Sequence, residues 1–175
     1  MRNMRTHAGF TLIEATIYLG LFSLVIGGSV VAAFQVFEFA GRNQTRAIIQ
    51  GEGDFLIAKM SWALSGTQSI NSPTAPAPNS GCASSTQLSV TKWETAVGNP
   101  LVFMESGGYV SLGRAGNPGL PLNNTNVSVS NFEVARCWPN PSSPEYVEPR
   151  FTITARTPNG ALLTQDFFTT VYIRK

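Results

Sequence analysis

Histidine occurs once in this chain, at His7, and cysteine twice, at Cys82 and Cys137. Charged side chains make up 13% of the 175 residues, about half the usual quarter. No proline precedes Pro73. Each scarcity excludes something. If the first nine residues are removed, no imidazole remains, so Ser-His-Asp and Cys-His catalysis and the usual histidine zinc sites are ruled out. The low charge content argues against a disordered acidic tail, a basic nucleic-acid binder and a solvated coiled coil. Twelve Lys and Arg against ten Asp and Glu give +2. Arg2 and Arg5 fall before Phe10, so the rest carries ten charges of each sign. Net charge therefore steers the chain towards neither DNA nor acidic lipid. The two cysteines match no metal-ligand spacing. In an oxidising compartment they most simply close one disulfide; two unpaired thiols are the other possibility.

What is abundant is apolar sequence near the start. Residues 1–9, MRNMRTHAG, are short, polar and cationic. Between Glu14 and Glu38 lie 23 consecutive uncharged positions. At 1.5 Å per residue a helix of that length covers roughly 35 Å, enough to cross a hydrocarbon layer of about 30 Å. A secretory signal peptide also has a basic start and an apolar stretch. Here the stretch is too long, no small-x-small cleavage site closes it, and a carboxylate sits at its edge. An ordinary signal anchor is the competing reading. Glu14 separates the two, because an ionisable group in a span costs about 2.5 to 3.5 kcal/mol on insertion scales and is by default functional.

The run Gly9-Phe10-Thr11-Leu12-Ile13-Glu14, behind a short basic leader and ahead of an unbroken apolar helix, resembles the class III signal of type IV pilins and type II secretion pseudopilins. The resemblance implies that a prepilin peptidase cuts between Gly9 and Phe10 on the cytoplasmic side and N-methylates the new amino group of Phe10. That amine is a cation near neutral pH. In a helix bundle the Glu14 carboxylate of one subunit would neutralise the Phe10 amine of its neighbour and so set the axial register. Gly20, Gly27 and Gly28, with Ala32 and Ala33, either allow close helix approach or are glycines that a helix in lipid simply tolerates. Many major pilins carry a proline partway along this helix, and this chain has none there.

After Glu38 the pattern becomes amphipathic. Ile49, Gly53, Leu56, Met60 and Leu64 are spaced 4, 3, 4 and 4 apart, one helical face. This predicts a helix packed under a globular head and ending at Ser65-Gly66, with Gly51 and Gly53 as a soft point. Residues 71–87 are rich in Pro, Ser and Ala and are expected to be irregular, with Cys82 tying them down. Beyond them, segments 87–94, 100–105, 108–112, 126–135, 149–156 and 162–174 alternate apolar and polar residues, as antiparallel strands with one buried face do. Thr157-Pro158-Asn159-Gly160 should turn the last two into a hairpin. Cys82 and Cys137 are expected in two Pro-rich loops. The loops at 113–126 and 138–149 are either partner-binding surfaces or plain connections.

The expected fold is therefore α+β: a long N-terminal helix, first transmembrane and then amphipathic, packed on an antiparallel β-sheet head. Its parts are a leader at 1–9, a membrane and filament-core helix at 10–37, an amphipathic helix at 38–66 and a head at 67–175. The ending DFFTTVYIRK and the segment FLIAKMSWALSGTQSI are similar to those of minor pilins and J-type minor pseudopilins. By that resemblance the chain is a structural subunit of a pilus or secretion pseudopilus. It would sit in a bacterial inner membrane with its head outside the cytoplasm, before entering a periplasmic or extracellular filament. The implied partners are the prepilin peptidase and N-methyltransferase, other pilin or pseudopilin subunits, the membrane and an inner-membrane assembly platform. A membrane-anchored binding module capturing DNA, a surface or a secreted substrate is the alternative; it would need Arg114, Arg136, Arg150 and Arg156 to gather. No catalytic group, metal site or cofactor is expected, since no nucleophile, base and orienter occur at informative spacing.

Overall fold

The computed structural model describes residues 11–77, 80–94, 98–140 and 142–173. It is an α+β fold: helix α1 (Leu12–Leu64) followed by ten β-strands. Two compact units divide at Gly41/Arg42, within α1.

In the first unit α1 is exposed almost throughout, with Leu24, Phe34 and Phe37 each roughly seven-tenths accessible. Absence of proline lets the helical hydrogen bonds run unbroken here. The polar side chains in this stretch turn back on the helix itself. Thr16 Oγ1 donates to the Ile13 carbonyl, Ser23 Oγ to Leu19 and Ser29 Oγ to Val25, each at 2.8 Å.

In the second unit the predicted stripe is the buried one: Ile49, Gly53, Leu56, Met60 and Leu64 all face the core, joined by Thr45 and Ala63. Gly53 corrects the expectation of a soft point. A Cβ built there would stand less than 3.0 Å from three carbons of the Phe167 ring, so Gly53 is a contact position that admits no side chain. The helix ends where expected. Gly66 takes φ +65°, the left-handed terminator conformation. Thr67 Oγ1 donates to the carbonyls of Ala63 (3.0 Å) and Leu64 (2.8 Å), and Lys92 Nζ donates to Trp62 O at 2.8 Å. These donors satisfy carbonyls that the helix leaves open.

Two antiparallel sheets complete this unit. The first has the order β1 (Thr67–Ser72), β3 (Gln87–Lys92), β4 (Leu101–Ser106), β5 (Tyr109–Arg114), β6 (Leu120–Pro121). The second runs β10 (Val171–Tyr172), β8 (Tyr146–Arg156), β7 (Val127–Trp138), β2 (Gly81–Ser85), with β9 (Leu162–Phe168) also on β8. One core cluster joins Leu56 and Met60 of the helix to Val90 and Phe103 of the first sheet and Phe151 and Ile153 of the second. The alternation that predicted β8 appears as buried odd-numbered and more exposed even-numbered positions from Val147 to Ala155.

Turn chemistry fixes the registers. Gly107 and Gly108, at φ +62° and +84°, form the two-residue link of the β4–β5 hairpin, a conformation that strongly favours glycine. Thr157 N donates to Ala161 O and Gly160 N to Thr157 O, closing the predicted β8–β9 hairpin.

Three expectations change. Residues 81–85 form edge strand β2, and Cys137 lies in β7, so the cysteines sit in paired strands and not in Pro-rich loops. An edge strand needs ladder hydrogen bonds on one side only, which a short Ser/Ala segment supplies despite its neighbours. The final segment is two strands, β9 and β10, separated at Thr169-Thr170, because they pair with different parts of β8. Polar strand β1 and two-residue β6 carry no alternation and were not expected.

Candidate functional site

Gly9 and Phe10, the expected cleavage and methylation positions, lie outside the described residues. Glu14 lies in the first turn of α1 and is partly exposed. Its backbone N–H faces Thr11 Oγ1 at 3.4 Å. Thr11 immediately precedes the helix, so Thr11-Leu12-Ile13-Glu14 follows the T-x-x-E capping-box pattern. Sequence reasoning missed this second role, although the spacing alone announces it. Glu14 also places a negative charge at the positive end of the helix dipole.

Behind Glu14 the uncharged stretch continues to Phe37. Its best window of 18 residues has a mean hydropathy of 2.1 and no buried residue, so by length and composition α1 can cross a membrane. The hydroxyl-to-carbonyl bonds of Thr16, Ser23 and Ser29 leave those groups satisfied without water, as an apolar medium demands. Apart from the adjoining helix backbone, nothing among the described residues lies within 4 Å of a Cβ built on Gly20, Gly27 or Gly28, so this face is open to a close neighbour.

Cys82 and Cys137 form a disulfide directly across the β2–β7 ladder, with Cα atoms 4.1 Å apart. The binding alternative needs Arg114, Arg136, Arg150 and Arg156 to gather, and two of them are engaged elsewhere. Arg136 is largely buried, ion-paired with buried Glu145, and its Nη1 donates to the carbonyls of Ile70 (3.0 Å) and Pro73 (3.3 Å). Arg150 pairs with Glu148 on its own strand. Arg114 ends β5 in the first sheet and Arg156 ends β8 in the second. Two of the four charges are thus already neutralised. Among the described residues no group of three or more His, Cys, Asp or Glu side chains could hold a metal ion.

The site this chain offers is thus a helix surface: a capped, acidic start followed by a bare apolar rod. Comparisons with protein-family models, curated proteins and solved structures find nothing that matches the chain.

Proposed function

We propose that this chain is a structural subunit of a type IV pilus or type II secretion pseudopilus, most like a minor pilin or J-type minor pseudopilin. The observation that carries this reading is the arrangement of α1. A single acidic residue, Glu14, precedes 23 uncharged positions that are exposed among the described residues, while the same helix from Arg42 onward contributes to the core of a β-rich head. A surface of that kind is covered either by lipid or by other helices, and a stored subunit uses both in turn.

In this mechanism a prepilin peptidase removes residues 1–9 and methylates Phe10. The subunit waits in the inner membrane with its head, and the disulfide, in an oxidising compartment. An assembly platform then extracts it into a helical filament. There the Glu14 carboxylate of one subunit meets the Phe10 amine of the next, so that two charges costly to bury alone neutralise each other. Small residues at 20, 27 and 28 bring the helices close.

The test is mass spectrometry of the chain purified from cells with and without a prepilin peptidase. Loss of MRNMRTHAG plus one methyl group, and recovery of the chain with sheared or pulled-down filaments, is the expected result. Retention of the nine residues in the presence of the peptidase would refute the reading.

A further inference from the structure

A cleft of about 270 Å³ opens where the ends of the two sheets meet, lined by the β4–β5 turn, the start of β7, the end of β8 and Leu162 of β9. Its frame is fixed from beneath by Asn123, which is buried. Asn123 Oδ1 accepts from Val110 N at 2.8 Å, and its Nδ2 donates to Gly108 O (3.2 Å) and Val127 O (3.3 Å). Val129 N also donates to Gly108 O at 2.9 Å, so the hairpin tip is bound to the free edge of β7. Gly108 takes φ +84°, a conformation that strongly favours glycine, and lies against the Ser128 side chain.

Over this frame the polar groups face solvent: Asn126, Ser128 and Arg156 are exposed and Tyr109 is half-buried. Among the described residues, nothing engages the side chains of Tyr109, Asn126, Ser128 or Arg156. Among the described residues Arg156 is the one charged residue lining the cleft, and its guanidinium presents a planar fork of donors. One fixed positive charge with a planar fork of donors suits a single carboxylate bound through both oxygens. A phosphate, with more charge, ordinarily draws several cations. The volume lies just below the roughly 300–1,000 Å³ of drug-sized sites, which is room for one ring. The remaining lining mixes hydroxyl and amide groups with exposed apolar Leu162, the mixture that a polyhydroxylated ring with C–H faces requires.

We propose that this cleft binds a hexuronic acid residue, with its carboxylate on Arg156, its ring hydroxyls on Ser128, Asn126 and Tyr109, and a C–H face against Leu162. The proposal stands apart from filament assembly, since every lining residue belongs to the head and none to the apolar rod.

The test is calorimetric titration of the full chain in detergent micelles with D-galacturonate, D-galactose and sodium acetate. Galacturonate should bind at least about tenfold more tightly than either of the others, because charged and neutral contacts add. Arg156→Gln should erase its advantage over galactose, and Asn126→Ala should weaken it severalfold, with thermal unfolding unchanged in both. Arg156→Lys, which keeps the charge without the fork, should fall between. Galacturonate binding no tighter than acetate means a bare anion site and overturns the proposal. So does equal binding of galactose, full affinity in Arg156→Gln, or no heat at any galacturonate concentration.

Discussion

Gly53 and Phe167 are a matched pair: the helix surface is flat at Gly53 because the Phe167 ring lies against it, and that ring in turn stacks on Phe151 at 5.6 Å between centroids. Helix, β9 and β8 therefore meet through one missing side chain. Gln165 Nε2 donates to Gln50 Oε1 at 2.8 Å beside this contact and holds the same strand to the same helix.

Gly53→Ala should accordingly destabilise the head by about 1–3 kcal/mol, the usual cost of overpacking a filled core, despite the better helix propensity of alanine. Gly51→Ala, one helical position with open space, should be neutral or stabilising by up to about 1 kcal/mol. Urea denaturation followed by tryptophan fluorescence separates them. If both glycines respond alike, the close contact does not govern the packing.

Much of this arrangement is legible in the sequence, and the parts that are not have a common physical cause. The stripe Ile49, Gly53, Leu56, Met60, Leu64 and the alternation of β8 are visible because one face of each element is buried and the other wet. Strands β1 and β2 are polar edge strands whose ladders rest on backbone hydrogen bonds, which leave no periodic mark. Gly53 reads from sequence as a helix weakener, since its role depends on a residue 114 positions away. The cleft is invisible for the same reason: Gly108, Ser128 and Arg156 become neighbours only through strand pairing. Glu14 is the reverse case, conspicuous in sequence for its charge and clarified by structure as part of a cap.

The Cys82–Cys137 bond staples edge strand β2 to the end of β7 and closes a loop of 55 residues in separation. In the chain-entropy model a loop of that size restricts the unfolded chain by about 4 kcal/mol. Reduction with dithiothreitol, or Cys82→Ser with Cys137→Ser, should lower the urea midpoint of the head markedly. Hydrogen exchange should rise first at residues 81–85. An unchanged midpoint would remove the staple from the stability of the fold.

Arg136 and Glu145 are buried together, and the guanidinium also ties down the backbone at Ile70 and Pro73. Removing one partner takes away the other's counter-charge in a buried place, which ordinarily costs about 3–5 kcal/mol. Glu145→Ala should therefore destabilise by an amount in that range. Arg136→Met with Glu145→Leu should recover a large part of the loss, because no unpaired charge remains. Equal losses in the single and double variants would show that packing, not charge, is at stake.

Glu14 joins two roles that substitution can separate. As the third residue of the helix it belongs with Thr11 in the cap, and as an acid it is available to the Phe10 amine of a neighbouring subunit. Glutamine suits the capping box as well as glutamate does, so Glu14→Gln keeps the helix start and loses only the charge. Thr11→Ala does the opposite, weakening the cap by about 1 kcal/mol while leaving the carboxylate in place. If charge pairing sets the register of assembly, Glu14→Gln should reach the membrane and be processed normally yet fail to enter filaments, whereas Thr11→Ala should still enter them. Both variants can be followed by fractionation and by quantifying the chain in sheared filaments. The reverse pattern, with Glu14→Gln assembling and Thr11→Ala failing, would assign the residue to its own helix and leave the apolar rod to find its register by packing alone.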